Sequence, residues 1–173
     1  MAKFYIHKNN GGYTLIELVV YLAIFIGISV LVVHSLVTIM KTYASAAAYR
    51  QLQSNGQVIM ERIIRETRNA NSITAGSSVF NTNPGTLVVA TTDSGGANHT
   101  ITFSVSGGAV QINDNGTTSN LSSPTEVTVT SLIFRSITTS NGDGVKIELN
   151  LTTSGKYIVS APFYGTVMLR GNN

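Results

Sequence analysis

Residues 18–33 read LVVYLAIFIGISVLVV and contain no charged side chain, which limits how this chain can fold more than any other feature. His34 is the only strongly polar interruption before Met40. About 20 apolar residues in a helix span the hydrocarbon core of a bilayer, and this segment reaches about 23. Hydrophobic residues make up 43% of the chain and charged residues only 11%, so the concentration of apolar residues here predicts a membrane-spanning helix.

Two other kinds of apolar N-terminal segment compete with a processed membrane anchor. Lys3, Lys8 and the small residues at 44–46 would suit a secretory signal peptide. The apolar region of a signal peptide is about 7 to 15 residues long and the whole peptide about 15 to 30, and both limits are exceeded here. Hydropathy does not distinguish a processed membrane anchor from a plain signal anchor. The two are distinguished by the residues before the apolar run and at its start.

Those residues are a polar leader, MAKFYIHKNNGG, that ends in Gly11 and Gly12. Glycines before an apolar run leave an unhindered peptide bond at the membrane surface, where a membrane protease could reach it. Glu17 follows within the apolar helix, where an acidic residue costs up to about 3 kcal/mol at the bilayer centre and is usually retained for a partner. A hydrated Glu17 near the lipid headgroups is the plainer alternative.

The series Gly12, Tyr13, Thr14, Leu15, Ile16 and Glu17 resembles the class III signal of type IV prepilins and type II secretion pseudopilins. The resemblance covers about 30 residues, and tyrosine replaces the commoner phenylalanine after the glycine. It implies that a prepilin peptidase cuts after Gly12 and that Tyr13 becomes the N-methylated first residue. It also implies that Glu17 pairs with the terminal amine of a neighbouring subunit in the filament core and sets the axial register.

The resemblance further implies the partners and the location of the chain. The partners are other pilin or pseudopilin subunits, the peptidase, an inner-membrane assembly platform and the lipid bilayer. The leader would lie in the cytoplasm and the C-terminal domain in the periplasm or outside the cell. Removing Lys3 and Lys8 with the leader lowers the net charge from +3 to +1, so the basic composition is weak evidence for a nucleic-acid partner.

His34 bears on the kind of subunit. Many major subunits of this family carry a proline 22 residues into the mature helix, and His34 occupies that position. Residues 21–25, YLAIF, resemble a stretch common in J-type minor pseudopilins and related minor pilins. We interpret the chain as a minor subunit. The alternative is a non-polymerising single-pass membrane protein that displays a β-rich adhesin or ligand-binding domain.

After Met40 the sequence remains compatible with a helix but becomes amphipathic. One apolar stripe is predicted from the spacing of Leu52, Ile59, Ile63 and Ala70. The stripe predicts that this half of a continuous helix, from about Thr14 to Asn69, packs on a domain. Gly56 either weakens the helix by about 1 kcal/mol or allows close packing.

Arg62, Arg65 and Arg68 recur at three-residue spacing and could form a basic strip. Pairing of Glu61 with Arg65 and of Arg62 with Glu66 at i,i+4 spacing favours a solvated, internally paired helix face instead.

From Ser72 onward, short β-rich segments alternate with turns, which predicts an antiparallel meander. The predicted strands are 86–92, 100–106, 109–113, 126–137, 145–152 and 157–170. Turns are predicted at 106–108 and 141–144, and residues 113–116 favour a turn over a calcium loop.

The sequence thus predicts an α+β, pilin-like fold in which a long N-terminal helix packs on an antiparallel β-sheet. Its segments are a leader at 1–12, a transmembrane and filament-core half of the helix at 13–40, an amphipathic half at 41–72 and a β-rich domain at 73–173. The chain lacks cysteine and shows no catalytic constellation, so neither an enzyme nor a cofactor is expected.

Overall fold

The computed structural model describes residues 11–92, 95–139 and 142–170. One helix, α1, runs from Leu15–Asn69 and is followed by eight strands. The strands are β1 Ser72–Ile73, β2 Leu87–Thr92, β3 Asn98–Ser106, β4 Ala109–Asp114, β5 Thr117–Asn120, β6 Val127–Thr139, β7 Gly142–Thr153 and β8 Ser160–Met168. Most of the predicted leader, including Lys3 and Lys8, lies outside the described residues, as does Asn141. The other residues of the predicted turn at 141–144 begin β7 and pair with residues 137–139 of β6, so for residues 142–144 the predicted turn is wrong.

The chain divides into two compact units, 1–43 and 44–173. In the first unit, the described residues are almost entirely the N-terminal part of α1, and their large apolar side chains are exposed. The most apolar window of α1 has a mean hydropathy of 2.7, and none of it is buried within the protein. By length and composition this helix could cross a membrane, as the sequence predicted.

The second unit contains the hydrophobic core, and the rest of α1 contributes one face to it. Leu52, Ile59 and Ile63 are fully buried, and Ala70 is buried just beyond the end of the helix. The predicted apolar stripe is therefore confirmed. Met60 and Thr67, three to four residues from stripe positions, are buried on the same face.

The strands form two antiparallel sheets rather than the single predicted meander. The first sheet has the order β1-β2-β3-β4-β5 and the second β6-β7-β8, so each is itself a meander. The six predicted strands are confirmed with shifted ends, but β1 and β5 were missed. The last predicted strand, 157–170, is shorter in the structure, because residues 154–159 form a loop before β8.

Both sheets contribute to one core against α1. Phe103 and Val110 come from the first sheet and Phe134, Ile147 and Leu149 from the second, and all are buried in the same cluster as the helix stripe. This gives an α+β, pilin-like architecture in which the long N-terminal helix packs against antiparallel sheets, as predicted.

Strand β8 follows the second part of α1 in the same direction. Phe163 lies against Gly56, and Gly165 lies against Met60 and Ile64, one to two helical turns further on. Beyond the strand, the Arg170 amide donates to the Arg68 carbonyl over 3.3 Å. Gly56 therefore allows close packing, the second of the two roles considered for it. The loop before β8 consequently lies toward the N-terminal end of the helical segment in this unit.

Two tight turns connect strands of the first sheet. Gly107 and Gly108 have φ angles of 58° and 78°, and Ser106 pairs with Ala109. Asn115 and Gly116 have φ angles of 48° and 95° between β4 and β5. Positive φ at both central residues is typical of hairpin turns of type I′. The predicted turns at 106–108 and 113–116 are confirmed.

The charged face of α1 is paired, although not entirely as predicted. Arg62 Nε lies 3.1 Å from Glu66 Oε1, which confirms one of the i,i+4 pairs. Arg65 approaches the same carboxylate at 3.7 Å. Within the described residues, no ion pair joins Glu61 to Arg65, so that predicted pair is wrong. Glu66 is less exposed than Glu61, and its carboxylate faces the guanidinium groups of both Arg62 and Arg65.

Candidate processing and assembly site

The site predicted from the sequence lies at the start of α1, and its first residues are not helical. Gly11, Gly12, Tyr13 and Thr14 have no regular secondary structure and are exposed. Apart from its chain neighbours, a Cβ atom added at Gly11 or Gly12 would meet no atom of the described residues within 4 Å. The residues on both sides of the Gly12–Tyr13 peptide bond are therefore exposed, and the bond precedes the first helical residue, Leu15.

Thr14 caps the N-terminus of α1. Its Oγ1 lies 3.4 Å from the Glu17 amide, and its carbonyl accepts from the Leu18 amide over 3.2 Å. The first amides of a helix lack partners within the helix, and a threonine side chain at the N-cap satisfies one of them. Thr14 and Glu17 have the spacing of a capping box, in which the residue at the third helical position is acidic.

Glu17 is half-buried, although its neighbours on both sides are exposed. Tyr21, one turn further along α1, donates its hydroxyl to Glu17 Oε1 over 2.9 Å. The carboxylate also lies in the first turn of the helix, where the helix dipole favours negative charge. Its second oxygen, Oε2, has no hydrogen-bond partner among the described residues, so it can accept from a donor outside this chain.

The remaining residues of the predicted motif are exposed. Tyr13, Leu15 and Ile16 are exposed by 80%, 83% and 74%, respectively. The structure therefore brings together Thr14 and Glu17 of the predicted site residues and adds Tyr21. It leaves Gly11, Gly12, Tyr13, Leu15 and Ile16 open to the surroundings.

The hydroxyl groups within the apolar part of α1 are largely satisfied by the helix itself. Ser29 donates to the Phe25 carbonyl, Thr38 to the His34 carbonyl and Thr42 to the Thr38 carbonyl, over 2.8 to 3.0 Å. Such bonding to the carbonyl four residues earlier removes the cost of placing a hydroxyl in hydrocarbon. The helix therefore suits an apolar environment better than its composition alone suggests.

Sequence reasoning missed Tyr21 as the partner of Glu17 and Thr14 as the helix cap. Both were detectable, because Glu17 and Tyr21 are four residues apart and therefore lie on one helix face. The Thr-x-x-Glu spacing before an apolar run is likewise a known signal for the start of a helix.

Two other polar contacts among the described residues belong to the first sheet. His99 Nε2 contacts Asp114 Oδ1 across β3 and β4, and Asn113 Oδ1 accepts from the Gly116 amide over 2.9 Å to stabilise the turn. Across residues 11–92, 95–139 and 142–170, no group of three or more His, Cys, Asp or Glu side chains could hold a metal ion.

No protein-family model, curated protein or solved structure matches this chain. The functional interpretation therefore depends on the pilin-like architecture and on the residues at the start of α1.

Proposed function

We propose that this protein is a structural subunit, of the minor kind, of a type IV pilus or a type II secretion pseudopilus. Prepilin peptidase removes residues 1–12, the new N-terminus at Tyr13 is methylated, and residues 13–40 anchor the subunit in the inner membrane. Assembly then proceeds through packing of these helices with those of other subunits, at an inner-membrane assembly platform. The domain at 73–173 faces the periplasm or the exterior.

The observation that carries the proposal is the combination of an open Gly12–Tyr13 bond with a carboxylate four residues later. A protease needs an accessible, extended peptide bond, and the residues on both sides of this bond are exposed and precede the helix. Cleavage there would create a cationic amine two residues before the first residue of α1. The same chain would then contain both members of an intersubunit ion pair.

The environment of Glu17 supports that pairing. Burial of an unpaired carboxylate in hydrocarbon is costly, and the Tyr21 hydroxyl compensates only one of its oxygens. The amine of a neighbouring subunit would satisfy the other oxygen through a charge-assisted hydrogen bond, which low dielectric strengthens. Glu17 would thereby fix how far one helix is displaced along another.

The unbroken helix supports a minor subunit. α1 continues through His34, where many major subunits of the family have a proline, and the Thr38 side chain bonds to the His34 carbonyl. A proline in the interior would remove a helix hydrogen bond and favour a kink or local melting. This helix lacks that built-in break.

N-terminal analysis and intact mass of protein extracted from membranes test the processing step. We expect a chain that begins with N-methyl-Tyr13. Substitution of Gly12 by a bulky residue should leave the chain uncleaved, while the same change at the neighbouring Gly11 serves as a matched control with weaker effect. An intact Met1 in cells with active peptidase would refute the proposal.

Incorporation into filaments tests the assembly step. Glu17→Val and Glu17→Gln should both be cleaved normally but fail to enter filaments, because neither can pair with an amine as an ion. Tyr21→Phe keeps the carboxylate and should be incorporated better than either. If the chain is instead a non-polymerising display protein, all three variants will localise and function as the unsubstituted protein does.

A further inference from the structure

The loop between β7 and β8, residues 154–159, presents the most exposed large apolar side chain described in the unit 44–173. Ile158 is 76% exposed, whereas the next such residue, Tyr164, is 67% exposed. Lys156, which is exposed, and Tyr157, which is half-buried, immediately precede it. Exposure of an isolated apolar residue is common, but this one lies beside a cation and an aromatic hydroxyl.

The loop is held in a defined shape by Thr153, which is almost completely buried. The Thr153 hydroxyl donates to the Tyr157 carbonyl over 2.8 Å and accepts from the Val159 amide over 2.9 Å. Val159 packs against the hydrophobic core. The Thr153 hydroxyl thus fixes Tyr157 and Val159, the residues on both sides of Ile158. The folded loop therefore holds Ile158 in its exposed position.

The position of the loop within this unit is equally defined. A cleft of about 350 Å³ separates Lys156 and Tyr157 from Ala44, Ala47 and Ala48 of α1. Ala44 is the first residue of the unit and follows directly, along the chain, from the segment 1–43 that contains the apolar run. From this loop, β8 extends away toward Arg68 at the other end of the helix. The loop is thus at the end of the unit joined to the apolar run.

We propose that Lys156, Tyr157 and Ile158 contact the surface of an anionic phospholipid bilayer. This inference rests on the membrane span of the proposed function but does not require filament assembly. An aliphatic side chain can enter the boundary between headgroups and acyl chains, tyrosine favours the headgroup level, and lysine pairs with lipid phosphate. The composition and the position of the loop both fit this occupant.

The local charges are compatible with an anionic surface. Lys156 forms no ion pair with the described residues, and its side chain is therefore available to lipid phosphate. Glu126, which lines the same cleft, accepts from Asn55 Nδ2 over 3.3 Å. Arg50, which lies between Ala48 and Gln51 of the helix positions that line the cleft, is exposed and adds a second positive charge.

Tryptophan fluorescence can test the contact directly, because the chain contains no tryptophan. Full-length Ile158→Trp is reconstituted into vesicles of phosphatidylcholine and phosphatidylglycerol, with and without brominated acyl chains. We expect a blue-shifted emission and quenching by the brominated lipid, because interfacial apolar groups lie about 5 to 10 Å into the headgroup and acyl boundary. Tyr164→Trp is the matched control, since it is similarly exposed but lies further along β8 and should show neither effect.

The contribution of the lysine is measured in the same system. Adding Lys156→Glu to Ile158→Trp should reduce quenching in vesicles that contain phosphatidylglycerol and have little effect in pure phosphatidylcholine. Equal emission and quenching for Ile158→Trp and Tyr164→Trp would overturn the proposal. The same result is expected if the loop binds another protein subunit instead of the bilayer.

Flotation with the vesicles separates this inference from the proposed function. Protein that floats but shows no quenching at Ile158→Trp overturns the loop contact and leaves the membrane span intact. Protein that does not float overturns the span and the loop contact together. An uncleaved N-terminus in cells would refute processing, while quenching in vesicles would still support the loop contact.

Discussion

Gly56 allows a prediction in which the usual effect of a substitution changes sign. Alanine in a helix interior is favoured over glycine by about 1 kcal/mol, so Gly56→Ala would stabilise α1 if helix propensity alone mattered. However, Gly56 is buried, and a Cβ atom there would overlap three atoms of the Phe163 ring. The ring has to shift against the core or leave its site.

The two effects can be compared in magnitude. Overpacking of a well-packed site costs about 1 to 3 kcal/mol, against about 1 kcal/mol gained from helix propensity. We therefore expect Gly56→Ala to lower the free energy of unfolding by up to about 2 kcal/mol. Phe163→Ala is itself destabilising. The loss should be about 2 kcal/mol, which is less than for a fully buried phenylalanine, because the ring is half-buried. With the ring removed, Gly56→Ala should instead stabilise by about 1 kcal/mol.

Calorimetric melting of the full chain in detergent, for the four proteins of this double-mutant cycle, measures the coupling. For a unit of this size, 1 kcal/mol corresponds to about 3 to 5 °C in Tm. Ser54→Ala, on the exposed side of the same helix, is a control that should raise Tm slightly. If Gly56→Ala changes Tm equally with and without the Phe163 ring, the contact between α1 and β8 does not explain this glycine.

Two further predictions concern the sheets. Hydrogen bonds from Arg135 and then Lys146 lower the pKa of Glu148 from 4.5 to about 2. The contribution of ionised Glu148 to the free energy of unfolding is therefore present above pH 4.5 and is lost as the pH falls through about 2. Arg135→Met should raise that pKa and reduce the loss of Tm on acidification, whereas Arg50→Met should not. In the β3–β4 turn, Gly107→Ala should lower the free energy of unfolding by about 1 kcal/mol because φ at this residue is positive. Gly107→Asn should lower it less, because asparagine tolerates positive φ, and the shifts in Tm of the two variants measure the difference. Equal losses for Ala and Asn would contradict the backbone explanation.

The helix and its two environments could be predicted because each has a period or composition of its own. An uncharged run predicts membrane contact, and the spacing of Leu52, Ile59 and Ile63 predicts one buried face. The division into two sheets had no comparable signal. β1 has only two residues, and β5 is TTSN with all four residues exposed, so neither shows the alternation by which strands are recognised.

The contact of Gly56 with Phe163 could not be predicted either, because it joins residues far apart in sequence. Its existence depends on where β8 lies after both sheets have formed. At the candidate site, more could be predicted from the sequence. Glu17 was recognised because a carboxylate is anomalous in an apolar helix, whereas its contact with Tyr21 follows from local helix geometry that any reading of i,i+4 neighbours supplies.

The two glycines within α1 show why the surroundings of its N-terminal part matter for function. At Gly56, the cost of glycine in a helix is explained inside the chain by the Phe163 ring. At Gly27, nothing in the described structure lies within 4 Å of an added Cβ, so no packing within the chain requires its small size. Glycines in membrane helices let a second helix approach closely. A helix partner supplied by another subunit, as the proposed function requires, would give Gly27 the kind of neighbour that β8 gives Gly56.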